Sequence, residues 1–265
     1  MPARSLWQGN ISFGLVNIPV KLYTATNSRE YVFNQLCQHG HRIRYKKWCP
    51  EEEREVPYSE IKKGYEIEKD IYIVFDKEEL NKVKLKTTHS IDIKEFIDYK
   101  ELDPILIDNS YYVAADTKKG NEKAYALLVK ILRDNNLVAI GKVILKDREN
   151  VVALRPYQRG LVMHLLNYLD DMKPIDEIPQ MGDVKSKLEP EEISLGKILV
   201  QKYRSKEFDI GDYSDTYVQE LQKLIDAKSK GKKFVSSAPK ETKPTKDLLE
   251  ALKASIVTKK KVINQ

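Results

Sequence analysis

Cysteine is nearly absent from this 265-residue chain. Only Cys37 and Cys49 occur, too few for a disulfide scaffold and in keeping with a reducing compartment. No apolar run approaches the roughly 18 residues needed to cross a bilayer. The start, Met1-Pro2-Ala3-Arg4-Ser5-Leu6-Trp7, lacks the continuous apolar segment of a secretory signal. A cytoplasmic protein with no membrane partner is therefore expected. The chain also has no glycine-rich phosphate loop, no His-Glu-x-x-His and no nucleophile elbow. Gly141-Lys142 has Asn136 five residues before the glycine, where a phosphate loop requires another glycine. No catalytic residue and no cofactor is assigned.

Net positive charge is missing from most of the chain too. The formal charge is +6, but residues 228–265 hold 11 Lys against 3 acids, while residues 1–227 hold 35 Lys and Arg against 37 Asp and Glu. All the excess sits in the tail. A charge-balanced body with a lysine-rich tail points to a polyanion, and Lys228, Lys230, Lys232 and Lys233 are candidate DNA contacts. Nucleic acid is favoured over anionic lipid because the tail has one aromatic residue, Phe234, and little apolar surface.

What is plentiful is short alternation. Ile11, Phe13 and Leu15 alternate with Ser12 and Gly14, and Ile18, Val20 and Leu22 alternate around Pro19, which predicts an edge or bent strand. From His41 to Trp48, Ile43 and Tyr45 alternate with Arg42, Arg44 and Lys46, which predicts a strand with three cations on one side. Further strands are predicted at Tyr65–Phe75, Ser90–Ile97, Ser110–Ala115, Leu137–Leu145, Val151–Leu154 and Leu161–Tyr168, with a hairpin loop over 146–150. So many strands predict a barrel or sandwich.

Helices are predicted from a capping box at Asp76 and Glu79 through Leu85, and from Asn121 over Glu122–Arg133, where Tyr125, Leu128 and Leu132 share a face. Leu195, Ile198, Leu199 and Tyr203, then Tyr217, Leu221, Leu224 and Ile225, make two further stripes, so residues 188–227 read as a helical arm. Beyond Ala227 the Lys, Ser, Ala and Pro composition predicts a disordered tail. Within it, Leu248, Leu249, Leu252 and Ile256 line one face of a short helix that would order on a partner or merely fluctuate.

Three clusters merit a chemical reading. A strand presenting Arg42, Arg44 and Lys46 suits contact with evenly spaced phosphates, and equally fits a solvated face paired with Glu51–Glu53. Cys37, His39, His41 and Cys49 are four soft ligands within 13 residues, but structural zinc sites rest on a Cys-x-x-Cys knuckle, and Cys49 is followed by Pro50-Glu51-Glu52. No metal is assigned. The pairs Asp103/Asp108 and Asp170/Asp171 are read as turn residues ahead of magnesium ligands of a nuclease.

Leu6-Trp7-x-Gly9-x-Ile11-Ser12-Phe13-Gly14-Leu15-Val16-Asn17-Ile18-Pro19-Val20-Lys21-Leu22-Tyr23 is a long and specific block. With Arg42-Ile43-Arg44-Tyr45, Gly64-Tyr65-Glu66, Asp103-Pro104-Ile105, Ser110-Tyr111-Tyr112, Leu154-Arg155-Pro156 and Tyr213-x-Asp215-x-Tyr217, it resembles the bacterial Ku family over most of residues 4–227. Some family members carry Cys-x-x-Cys where this chain has Cys49 and then Glu52. The resemblance implies a mixed α/β (α+β) fold, a β-barrel core with a bridge over residues 1–187 and a helical arm over 188–227, to which the composition adds a flexible basic tail over 228–265. It also implies a ring-shaped homodimer that threads double-stranded DNA ends in non-homologous end joining and recruits DNA ligase D, with no enzymatic activity of its own and a nucleoid-associated location. On the matching blocks, Arg42, Arg44 and Arg155 become DNA-contact candidates, joined by Lys46 from the alternation, and Tyr213, Asp215 and Tyr217 become partner-site candidates, the two tyrosines being open to a packing role instead. The competing readings are a DNA-coating protein that binds through its tail and a metal-dependent nuclease.

Overall fold

Strands form where alternate side chains can all be buried on one side, and the first two do so at once. In the computed structural model, which describes residues 3–27, 31–83, 89–117, 122–181, 188–231 and 248–257, β1 (Trp7–Phe13) and β2 (Val16–Thr24) pair antiparallel with Ile11 opposite Ile18. Ile11, Ile18, Val20 and Leu22 are fully buried. An insertion follows, with β3 (Trp48–Cys49) against β4 (Arg54–Glu55), β5 (Lys63–Glu68) against β6 (Ile71–Phe75), and helix α1 (Lys77–Lys82). Then come β7 (Ser90–Asp98), β8 (Ile107–Ala115), helix α2 (Glu122–Asp134), β9 (Leu137–Leu145), β10 (Arg148–Tyr157) and β11 (Gly160–Leu166).

Seven strands close into a barrel in the order β1-β2-β8-β11-β10-β9-β7, with the parallel pair β1 and β7 completing the circuit. Closure leaves this sheet no unpaired edge. Its interior is filled by alternate residues, among them Val113, Val143, Leu154, Leu161 and Met163. Leu128, Val129 and Leu132 of α2 join the same cluster, so the helix closes one mouth of the barrel. Tyr125 fastens it there: its hydroxyl donates to the Val113 carbonyl at 2.5 Å and accepts from the Leu161 N–H at 3.0 Å. A Cβ at Gly160 would lie 2.8 Å from that hydroxyl, which is why glycine opens β11. Gly141 serves the same need: a Cβ there would meet the Asp92 carbonyl at 2.6 Å.

Pro19 does not mark an edge, since β2 lies between β1 and β8. The ladder to β8 begins at Val20 opposite Ala115. The Pro19 carbonyl accepts from the Asp116 N–H at 2.9 Å beyond that ladder, so the missing proline N–H interrupts nothing. The expected 146–150 loop is shorter: Lys146 and Asp147 alone turn, both with positive φ, as a two-residue hairpin of this twist demands. The expected strand Tyr65–Phe75 is the hairpin of β5 and β6, reversed near Asp70 at φ 63°. Helix α1 has the expected capping box, with the Asp76 N–H donating to Glu79 at 2.8 Å. It ends at Lys82, and the expected extension to Leu85, like the cap at Asn121, falls outside the described residues.

The chain divides into two units, residues Met1–Glu177 and Ile178–Gln265. The second contains α3 (Pro190–Tyr203), α4 (Thr216–Ser229) and α5 (Leu248–Val257). Pro190 and a Glu189–Glu192 capping box start α3. The two expected stripes are only half covered: Leu195, Leu199, Leu221 and Leu224 are partly buried, while Tyr203 and Tyr217 are exposed. The tail helix α5 packs within the chain on α3. The Lys202 ammonium donates to the Ser255 and Ile256 carbonyls at 3.1 and 2.8 Å, among the last carbonyls of a helix, which lack partners of their own. Lys253 pairs with Glu191 at 2.9 Å.

Candidate nucleic-acid interface

The Arg42/Arg44 segment lies in the insertion, and its geometry differs from the alternating strand expected for His41–Trp48. A tight turn at Gly40, φ 82°, lets Cys37 N–H reach the His41 carbonyl and Ile43 N–H reach the Gln35 carbonyl, both at 2.9 Å. Leu36 and Arg42 form a single bridge. Among the described residues no further strand pairs with this segment, and regular structure resumes at Trp48. With no surface to bury against, Ile43 and Tyr45 are 44% and 79% exposed, so they do not back the cations as alternation predicted.

The three cations separate into two kinds. Arg42 and Arg44 project from the loop exposed, and among the described residues neither has an ion-pair partner. Lys46 is held by Glu55 at 2.7 Å, and that hydrogen bond, with the glutamate charge behind it, raises the lysine pKa. Arg54 takes Glu52 at 2.5 Å and Glu60 at 2.8 Å. Glu52, Glu55 and Glu60 therefore bind Lys46 and Arg54, and no acid among the described residues pairs with Arg42 or Arg44. A cavity of about 550 Å³ in the same insertion carries Lys47, Lys62, Lys63 and Lys77 on its wall with one acid, Asp76. Lys47 lies 4.3 Å from the centre of the Tyr58 ring, and Lys62 pairs with Asp76 at 3.2 Å.

Cys37, His39, His41 and Cys49 are not gathered around one point. Cys37 Sγ meets His41 Nδ1 at 3.7 Å, His39 meets Gln38, and Cys49 sits in β3. Among the described residues no three His, Cys, Asp or Glu side chains are placed to share a metal ion. Asp103 caps a short helical turn by accepting from the Ile105 N–H at 3.0 Å, Asp108 accepts from Asn109, and Asp170 and Asp171 lie in another such turn.

Arg155 is a barrel residue on β10, on the face opposite Leu154. Its Nε–H donates to His164 Nε2 at 3.0 Å, which assigns the ring proton to Nδ1, whence it is donated to Ser110 Oγ at 2.8 Å. His164 is 5% exposed, and burial, with the Arg155 charge beside it, lowers its pKa. A neutral ring is what accepting from Arg155 requires. The Tyr99 and Tyr157 rings lie 5.6 and 5.7 Å from the guanidinium, and Tyr157 stacks on Tyr112 at 5.9 Å. No sequence signal gave His164 or Ser110 a part in this site, although Ser110 stands in one of the resembling blocks: they meet Arg155 only because β10 and β8 both pair with β11.

In the second unit, Asp215 caps α4 by accepting from the Val218 N–H at 3.1 Å. Tyr213 packs against Phe208, ring centres 5.8 Å apart, yet is 56% exposed, and Tyr217 is 70% exposed. Lys228 stands in the last turn of α4 and Lys230 at its C-cap, so the ordered helix runs past the expected boundary at Ala227. Lys232 and Lys233 lie outside the described residues. Among the described residues no helix is long and apolar enough to cross a membrane.

Comparison with known proteins agrees with this architecture. The family model described as the Ku70/Ku80 beta-barrel domain matches residues 12–195. A "Non-homologous end joining protein Ku" of Archaeoglobus fulgidus is 42% identical over 254 residues, 96% of this chain and 98% of that protein. Proteins of the same name from Heliobacterium modesticaldum and Coxiella burnetii are 37% and 34% identical, over 97% and 98% of this chain and 92% and 97% of their own lengths. A closed barrel interrupted by an extended insertion, a matching family model across its strands and near full-length identity together show that the chain belongs to the Ku family.

Proposed function

We propose that the protein binds double-stranded DNA ends without regard to sequence, as a homodimeric ring through which the duplex threads, in non-homologous end joining. Its role is non-enzymatic: it aligns and protects ends and brings in DNA ligase D. The observation that carries the reading is the insertion between β2 and β7. Of residues 31–83 none is buried, and Tyr65, Ile67, Ile71 and Ile73 on β5 and β6 are each 46% or more exposed. An isolated two-stranded hairpin is marginal in water, so this apolar surface calls for a cover, and a second copy of the chain supplies it symmetrically. The bridge of the ring is then this insertion, which carries Arg42 and Arg44 on the same loop.

Guanidinium groups on an irregular loop, with no helix or ribbon to enter a groove, suit phosphate contact rather than base reading. Arg155, with Lys46 once released from Glu55, extends that surface. The lysines from Lys228 onward, Lys230, Lys232 and Lys233 among them, add sequence-independent attraction. Tyr213 and Tyr217, exposed on either side of the Asp215 cap, offer the ligase a surface on the arm. Deletion of residues 228–265 tests the ring against a tail-driven coat. End binding with most of its affinity is expected to survive, sedimenting as a dimer at micromolar concentration; near-complete loss of affinity, or a monomer, contradicts the proposal.

A further inference from the structure

A second cavity, of about 340 Å³, opens where the last turn of α2, the start of β9 and the end of β10 meet. Tyr99, Arg133, Asn136, Arg155 and Gln158 contribute to its wall, which among the described residues has two arginines and no carboxylate. The acids closest along the chain are taken up by lysines: Asp98 and Glu101 lie 3.6 and 3.8 Å from Lys100, and Asp134 lies 2.7 Å from Lys130. Two guanidinium groups facing one space without an acid repel each other unless an anion enters.

Both groups are also held in place. Arg133 Nη2 donates to the Gln158 carbonyl at 2.5 Å, and Arg155 donates through Nε to His164, itself anchored on Ser110. The bond to His164 uses only the Nε–H of Arg155 and leaves its two terminal amino groups to a ligand. Tyr99, beside the Arg155 guanidinium, is fixed by its N–H donating to the Asn136 carbonyl at 3.0 Å. Planar, oriented guanidinium groups match the oxygens of a phosphate better than those of a smaller or softer anion.

We propose that the Arg133–Arg155 cavity is a phosphate-binding site. Arg133 had no signal in the sequence, being one cation in the last turn of a helix, and only the tertiary fold sets it beside Arg155. The phosphate belongs either to DNA, in which case the site deepens the end-binding reading and rests on it, or to a free phosphate compound, in which case it is independent of that reading.

The test uses the full-length protein with Arg133→Gln and Arg155→Gln. Each is titrated with inorganic pyrophosphate and with two blunt duplexes that differ only in carrying a 5′-phosphate or a 5′-hydroxyl. Wild type is expected to bind pyrophosphate, and each variant to bind it about tenfold more weakly, as loss of one charge-assisted contact implies. A wild-type preference for the phosphorylated duplex that both variants erase identifies a DNA terminus, and equal losses on the two duplexes identify an internal phosphate. Pyrophosphate losses with unchanged duplex binding identify a free phosphate compound. Unchanged affinity for pyrophosphate and for both duplexes in both variants overturns the proposal. Should a variant fail to fold, the wild-type Arg155 Nε–H resonance decides instead: it shifts on pyrophosphate addition, and a stationary signal overturns the site. Failure of wild type to bind either duplex counts against the end-binding reading alone, since the pyrophosphate arm stands without it.

Discussion

Alternating apolar residues build both the barrel and the insertion, but the two regions use them differently. In β9, Val138 and Ala139 are fully buried on opposite faces of the sheet, one against Leu102 and Ala153, the other in the interior cluster with Ile11 and Leu154. In β5 and β6 the same pattern leaves Tyr65 65% and Ile73 46% exposed. The barrel satisfies itself by closure, and the insertion has only its own partner strand. Where alternation ends inside the chain it makes stability, and where it ends in solvent it leaves an exposed apolar patch, the raw material of the proposed dimer contact.

The sharpest contrast comes from truncating one residue of each region. Leu154→Ala removes a fully buried side chain from the interior, and a loss of about 2–5 kcal/mol in urea unfolding is expected; a loss under about 1 kcal/mol would mean that the barrel does not carry the fold. Ile73→Asp on β6 should leave barrel unfolding nearly unchanged while weakening self-association by about thirtyfold in sedimentation equilibrium, as for loss of an interface anchor worth about 2 kcal/mol. If it unfolds the protein without affecting dimers, the insertion is a core element. The double variant Arg42→Ala, Arg44→Ala removes two cations from each of the two protomers and should reduce the slope of log affinity against log salt by about 3.6, at about 0.9 per phosphate released. An unchanged slope removes the loop from the interface.

Smaller effects are expected elsewhere. Asp215→Ala deletes the α4 cap, at a cost of about 1 kcal/mol, and should show as fraying in helical circular dichroism. His164 supplies a pH effect on the barrel side. Its folded pKa lies below the ordinary 6.5, so as pH falls the unfolded chain takes up the proton first. Its contribution is whole above pH 6.5 and is lost as pH falls from there towards the folded value. Wild type should therefore lose more stability than His164→Gln between about pH 7.5 and 5. Parallel losses would show that the ring titrates alike in both states.

Much of the barrel was legible in the sequence because period-two burial leaves its mark wherever one face is covered. Leu137–Leu145 appears with its ends unchanged, and β1, β2, β7, β8, β10 and β11 lie within a few residues of the predicted runs. Closure was not legible, since β1 meets β7 across some eighty residues and no local pattern encodes that pairing. The β5–β6 hairpin was hidden because its reversal uses Asp70 at positive φ without a glycine to announce it. For Arg42 and Arg44 the residues were identifiable and the strand was not: alternation records which side chains differ, but a strand also needs a neighbour to bond. Arg133, His164 and Ser110 had no site role in the sequence, because their grouping with Arg155 is a product of strand order and of where α2 packs.

The proposed encirclement of a DNA end by this barrel and its insertion is tested with one plasmid in three forms: covalently closed, linear, and linear with both ends blocked by bulky adducts. The protein lacking residues 228–265 is used at fixed salt, so that all three forms offer the same phosphates and sequence. Binding confined to the open-ended form is the predicted result, because threading requires an end. Equal binding to all three would contradict the ring and leave a protein that attaches to the surface of DNA.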